Sequence, residues 1–298
     1  MQPYRMMSLH ESNNYGYIRK MMRKIFHPLI AATLLVLTAG ALSSCEYFGS
    51  SAEGNDLARF DADSVKKDIT VNLTADSVSP TCTLHMNIIY SKSDSLKEAN
   101  SRLISSGIIT PDYFSIGGGM QDIPLAVDSF VRRYADEYKR DYRSLYEVDR
   151  NNFDSYNIAY DVNTSIKQGR KGIVVYMAEA TYSSGALHET QTLVARNIDM
   201  DKKKVLTLDD VLVGGSEKFV AELIVKELCS QRDVDDIKQL NELSIFKGID
   251  PYPSKNFMLE ADGVTFIYNA DEIATHDIGR ILVKIDYSDI NPYLKERI

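Results

Sequence analysis

The chain contains no tryptophan, only three cysteines, and only eight prolines in 298 residues. The missing tryptophan removes the side chain that most often stacks on sugar rings, so any aromatic surface must be built from the 18 tyrosines and ten phenylalanines. The cysteines fall at Cys45, Cys82 and Cys229 and never as Cys-x-x-Cys, which excludes zinc ribbons and dithiol redox motifs. No apolar run reaches the roughly 20 residues that a bilayer-spanning helix needs. Signature motifs are missing too. There is no His-Glu-x-x-His, no Gly-x-Ser-x-Gly elbow around Ser183 and Ser184, and no Asp-x-Asp-x-Asp-Gly calcium loop. Gly117-Gly118-Gly119 lacks the Lys-Ser/Thr of a phosphate loop and reads as a connector.

What is present begins with an apolar stretch from Leu29 to Leu42, preceded by Arg23 and Lys24 and followed by Ser43-Ser44-Cys45. Its length suits a signal h-region, and small residues ahead of a cysteine suit a lipoprotein cleavage point. Residues 1–44 therefore read as a signal peptide, with Met21 or Met22 as alternative starts because 1–20 is polar. Cys45 is the expected lipidation site. Each buried methylene of an acyl chain contributes about 0.8 kcal/mol, so two or more chains hold a protein firmly on a membrane. The expected location is the cell envelope, at the outer membrane on its periplasmic or surface face.

Charge narrows the partners. Residues 1–44 hold five bases (Arg5, Arg19, Lys20, Arg23, Lys24) and one acid (Glu11), which leaves 29 bases and 41 acids after the cleavage point, a net charge of −12. So acidic a body disfavours nucleic acid and anionic headgroups; solubility alone accounts for the acidity, and a basic partner is the alternative that suits it. Cys82 and Cys229 both sit in apolar contexts. An oxidising compartment allows a disulfide between them, and two buried free thiols are the alternative.

Residues 45–64 are rich in Gly, Ser, Asp and Ala without periodicity and read as a lipidated tether. Period-two alternation at 69–73 and 82–88 predicts two strands joined by a turn at 76–80. A short helix is expected over 95–105. A long one is expected over 124–146, with Pro124 in its first turn and Val127, Phe130, Val131, Tyr134, Tyr138, Tyr142, Leu145 and Tyr146 on one face. Strands are expected at 153–166, 172–182, 190–198, 264–268 and 280–285. A helix over 216–228 should be buried through Phe219, Val220, Leu223 and Ile224. Strands grouped with strands, with helices inserted between groups, predict an α+β fold of mainly antiparallel sheets. We divide it into an N-terminal region, 65–170, and a C-terminal domain, 171–298.

Candidate chemistry is thin. Asp199, Asp201, Asp209 and Asp210 are the densest carboxylates, but Lys202 to Lys204 lie between them. A solvated turn followed by a helix cap at Thr207 or Asp209 accounts for them better than calcium. Glu272 and His276 would share a face only if their segment were helical, and the flanking strands argue for a turn. His188 stands alone. The tyrosines every fourth residue from Tyr134 to Tyr146 fit a core-facing stripe with phenol tips at its rim. No catalytic residue, metal ligand or cofactor is assigned, and the expectation is a non-enzyme.

The C-terminal third carries a resemblance. Residues 193–212 read LVARNIDMDKKKVLTLDDVL, and residues 257–294 read FMLEADGVTFIYNADEIATHDIGRILVKIDYSDINPYL. The Gly263 turn, Tyr268, Glu272-Ile273-Ala274, Gly279 and the Tyr287-Ser288-x-Ile290 ending resemble the PdaC/RsiV-like family of extracytoplasmic domains. One departure is the Ser184-Gly185-Ala186-Leu187-His188 loop, which has an extra Leu187 against the family's Gly-Gly-Ala-His and unsettles any role for His188. Family members include the outer domain of an anti-sigma factor that senses lysozyme and an accessory region of a peptidoglycan deacetylase. The resemblance implies a sensing or binding module, here tied to lipid, with a basic protein such as lysozyme or a glycan as ligand. The alternatives are a glycan-active envelope enzyme and a structural or assembly lipoprotein.

Overall fold

A computed structural model describes residues 55–108, 122–185 and 189–296. The signal stretch, Cys45, the first half of the expected tether, the Gly117 triplet and His188 lie outside the described residues; the second half, 55–64, belongs to the fold, with a helical turn at Asp56–Phe60, Phe60 fully buried and a strand from Ala62. The described residues form one compact unit. The fold is α+β: a six-stranded sheet and a three-stranded sheet with helices around them, and every strand pairing but one is antiparallel.

The large sheet runs in sequence order. After a helical turn, α1 (Asp56–Phe60), come β1 (Ala62–Asn72) and β2 (Thr81–Ser91), the hairpin expected from the alternation. A short helix, α2 (Lys97–Leu103), and the long α3 (Ile123–Val148) carry the chain over the sheet. It returns as β3 (Ile158–Gln168), parallel to β2, because the long crossover reverses the direction. Then β4 (Ile173–Ser184), β5 (Thr190–Asp199) and the short β6 (Lys204–Leu206) complete the sheet as a meander. The smaller sheet is built by β7 (Phe257–Leu259), β8 (Gly263–Tyr268) and β9 (Ile281–Asp286). Around it lie α4 (Leu208–Val211), α5 (Glu217–Arg232), α6 (Ile237–Glu242) and α7 (Tyr287–Ile290).

Alternation sorts the side chains onto two faces. One face of β1–β3 is roofed by α3, which buries Val127, Phe130, Val131, Tyr138 and Tyr146 against Leu84, Met86 and Val162. Asp122 caps the start of α3 by accepting from the Leu125 N–H at 3.0 Å, and Pro124 sits in the first turn. The tyrosine stripe is a core feature: Tyr138 and Tyr146 are buried, Tyr134 and Tyr142 are half-buried, and the rings contact Tyr156, Tyr160 and Phe153. Under the β4–β6 end of the same face, Phe60, Leu96, Ala99 and Leu103 cover Val174, Tyr176 and Ile198. The opposite face of β4 and β5 packs on the smaller sheet and α5, burying Ile173, Val175 and Ala195 with Phe257, Phe266, Val220 and Ile224. Over β1–β3 that opposite face stays polar, with Lys66, Asp68, His85 and Asn163 exposed.

Several expectations need correction. Residues 150–156 form 3-10 turns, so β3 begins at Ile158 rather than 153, and the aromatic residues Phe153 and Tyr156 serve the α3 cluster instead. Leu145 is 55% exposed and Phe219 is 50% exposed, so neither belongs to its helix's buried stripe. Phe219 stacks on Tyr293 at 5.6 Å. The boundary drawn between 170 and 171 falls in the β3–β4 turn, and the six-stranded sheet runs across it.

Candidate functional site

Strand β5 pairs with β6 only over Asn197–Asp199, which leaves its outer edge from 190 to 196 without a strand beside it among the described residues. Unpaired backbone groups at such an edge need partners when water is kept away. Asparagine side chains provide them. The Leu193 N–H donates to Asn269 Oδ1 at 2.8 Å, and the Ala195 N–H donates to Asn256 Oδ1 at 2.7 Å. The Leu193 carbonyl accepts from Asn256 Nδ2 at 2.7 Å and Asn269 Nδ2 at 3.1 Å. Asn197, 1% exposed, works in the other direction: its Nδ2 donates to the Phe257 carbonyl at 2.9 Å and its Oδ1 accepts from the Leu259 N–H at 2.8 Å. An amide side chain offers a donor and an acceptor spaced like a peptide group, so three asparagines stitch the two sheets together where no strand can.

Beside this stitched edge lies a cleft of about 610 Å³. Its walls are Thr192, Val194 and Arg196 of β5, the loop Tyr252–Asn256 with Asn269 and Glu272, the starts of α4 and α5, and the turn at Ser106–Gly107 after α2. The Arg196 guanidinium donates to the Ser106 carbonyl at 2.6 Å and to the Ala195 carbonyl at 2.8 Å. Burial lowers its pKa, yet an arginine remains cationic. Glu272 is held on both oxygens, by the Tyr252 hydroxyl at 3.0 Å and the Asn269 N–H at 3.0 Å. Burial first, and then the Glu272 charge, push the Tyr252 phenol above its ordinary range, so it stays protonated. Tyr268 lies behind, its hydroxyl donating to the Tyr252 carbonyl at 2.5 Å. Asp209 and Glu217 add carboxylates to the wall. A fixed cation, fixed carboxylates and a tyrosine beside Thr192 and Val194 form a set that recognises a ligand by contact.

The sequence candidates scatter. Glu272 is in the cleft, but His276 lies in a 3-10 turn with its Nδ1 2.8 Å from Asp271. Asp199 accepts from the Asp201 and Lys202 N–H groups at 3.0 and 2.7 Å, a tight turn closed by its own carboxylate. Asp201 pairs with Arg59 at 2.6 Å. Thr207, one of the two expected cap residues, is the N-cap of α4, and Asp210 closes the cap: its carboxylate accepts from the Thr207 N–H and hydroxyl at 2.9 Å each and pairs with Lys204 at 2.7 Å. These contacts pull its pKa down to about 2, Lys204 first and Thr207 second. Among the described residues, no group of three or more His, Cys, Asp or Glu side chains is arranged to hold a metal. Ser183 and Ser184 end β4. Cys82 and Cys229 are buried free thiols in separate apolar clusters, so the disulfide alternative is not formed here. The residues that build the cleft, Arg196, Tyr252, Asn256 and Asn269, were passed over. One signal existed: Asn197 stands inside a strand, where asparagine is disfavoured, whereas Asn256 and Asn269 occupy flanking positions where asparagine is ordinary.

Comparison with known families bears on this region. Residues 209–288 match DUF3298, described as a protein of unknown function. The DUF3298 stretch starts at α4 and ends in α7, and it supplies one wall of the cleft through Glu217, Tyr252, Asn256, Asn269 and Glu272. The β5 wall and the Ser106 turn lie outside it. The PdaC/RsiV-like family, which the same stretch resembles, is related to DUF3298. Comparison with curated proteins gives no match. Among solved structures, a DUF3298 family member from Bacteroides fragilis is 24% identical, with a TM-score of 0.70 over 79% of this chain and 94% of that one. A DUF3298 family protein from Pseudomonas aeruginosa is 15% identical, with a TM-score of 0.57 over 80% of this chain and 95% of that one. Both share the fold.

Proposed function

We propose that this chain is a lipid-anchored cell-envelope module that binds a protein or glycan ligand in the β5 cleft and does no chemistry on it. The observation that carries the reading is the commitment of the cleft's polar groups. Glu272 spends both oxygens on Tyr252 and Asn269, and Asn256 and Asn269 spend their amides on the β5 edge. A carboxylate so engaged fixes the Tyr252 ring and takes its hydroxyl proton as a hydrogen bond; it is poorly placed to act as a nucleophile or to shuttle a proton. What faces the cleft is a rigid pattern of charge, carboxylate lone pairs and apolar surface, which suits recognition.

The anchor is Cys45, on the strength of the signal pattern that precedes it. The ligand proposed is a basic protein such as lysozyme, because the body after the cleavage point carries −12 and electrostatic steering favours encounter with a cation. A peptidoglycan-related glycan is the other ligand of the same reading. Titration calorimetry of the full chain with lysozyme and with muropeptides, at low salt, tests both. Heat with one of them that is lost in Tyr252→Ala supports the cleft reading; no heat with either removes it. Glycan turnover by the wild-type chain would instead establish an enzyme.

A further inference from the structure

The other border of the large sheet is β1, the outermost strand among the described residues. The Leu73 N–H donates to the Pro80 carbonyl at 2.9 Å and the Lys92 N–H to the Asp61 carbonyl at 3.0 Å, which fixes the phase of the β1–β2 ladder. Odd-numbered residues of β1 direct their backbone groups to β2. Even-numbered residues, from Ala62 to Asn72, direct theirs away from the sheet. All of these even-numbered residues are exposed. Eleven residues of regular strand whose outward donors and acceptors are open, apart from the Ser64 N–H that donates to its neighbour Asp63 at 2.8 Å, is a template for another strand, and proteins ordinarily guard it with lysine. Here Lys66 and Lys67 stand in the middle, but Asp68 follows them.

We propose that β1 pairs antiparallel with β1 of a second copy, about a two-fold axis through Lys67. Three even-to-even registers lie near the strand's centre, and charge selects among them. Centring on residue 66 sets Lys66 against Lys66, and centring on 68 sets Asp68 against Asp68. Centring on 67 sets Lys66 opposite Asp68 of the second copy, and by symmetry does so twice. Opposite charges directly across a ladder stabilise it and like charges destabilise it. On the other face the same register lays Val65 against Ile69 of the second copy, both half-buried at the open edge. Lys67 then meets its own copy, and its charge is already met by Asp128 at 2.6 Å. Asp68, 2.9 Å from His85, remains on the open polar face where the second Lys66 arrives. The two large sheets become one continuous sheet.

The test is sedimentation of the full chain across a concentration series, with variants at exposed positions. Lys66→Asp is expected to weaken the dimer by about tenfold or more, since two attractive pairs become repulsive. The exchange Lys66→Asp with Asp68→Lys restores it. Lys67→Cys is expected to cross-link to itself under mild oxidation, because residues opposite each other in a non-hydrogen-bonded pair come within disulfide reach. Lys66→Cys is expected to cross-link poorly, being offset from its own copy by two residues. A chain that stays monomeric at every concentration overturns the proposal. So does a dimer that ignores Lys66→Asp, or one in which position 66 cross-links better than position 67.

Discussion

At the scale of the residue, the molecule depends on polar side chains that replace missing backbone partners. Asn197 is the deepest of them, and its amide satisfies one donor and one acceptor of β7. In Asn197→Ala both backbone groups lose their partner inside a water-free interface, at about 1–3 kcal/mol each. We expect a loss of about 3 kcal/mol in urea unfolding, with Asn197→Asp no better because it keeps the acceptor but buries a charge. Asp210 gives a pH signature. Its folded pKa lies near 2 against an ordinary 3.8, so its contribution is present above about 3.8 and is lost as pH falls toward 2. Asp210→Asn should therefore be less stable than wild type at neutral pH, and the gap should close as stability is followed down that window. Cys82 behaves oppositely: burial raises its thiol from 9.0 to about 12, so the unfolded chain ionises first and stability declines between those values. At neutral pH the same burial keeps Cys82 unreactive to alkylating reagents until the chain unfolds, and alkylation followed by mass spectrometry reads this directly.

At the scale of the element, the sequence was most legible where one periodicity ran unbroken. The β1–β2 hairpin, α3 and β8 follow from alternation or from an apolar stripe. The misread segment, 153–157, is rich in aromatic residues that suit a strand, but Phe153 and Tyr156 are claimed by Tyr146 of α3, and this tertiary demand bends the chain into 3-10 turns. Leu145 and Phe219 were misplaced for another reason: helical spacing identifies a stripe but not how far the covering surface extends. The cleft was illegible because its parts come from β5, a loop 60 residues later and the turn after α2. Glycine at the end of β4 ties two such elements together. A Cβ on Gly185 would fall 1.4 Å from the Asp154 carbonyl oxygen, a backbone atom that cannot step aside alone. Gly185→Ala should push the 3-10 turns off the end of β4 and cost at least about 1–3 kcal/mol, with the loosened Tyr156 environment visible in near-ultraviolet circular dichroism.

At the scale of the whole molecule, the question is how many cooperative units the body contains. The β2–β3 pairing is parallel and spans the long α3 crossover, so closing it brings together segments some 75 residues apart before any local turn helps. Strand β4 is shared: one face belongs to the α3 and α2 clusters through Ala180 and Tyr176, the other to the smaller sheet through Ile173 and Val175. Removing everything before residue 171 would strip β4 of its β3 ladder and uncover Val174, Tyr176 and Ala178, leaving a long apolar edge and face in water. The DUF3298 stretch alone would fare worse, since it lacks β4 and β5 and with them the far side of its own core. We therefore expect urea unfolding of the intact chain to show one transition, with tyrosine fluorescence and far-ultraviolet circular dichroism coincident. We expect the 171–298 fragment to aggregate or to give no sharp transition. A fragment that unfolds cooperatively with native-like tyrosine signals would mean that the smaller sheet and α5 hold β4 and β5 without help from β3. The asparagine stitching would then be the stronger of the two attachments in the fold.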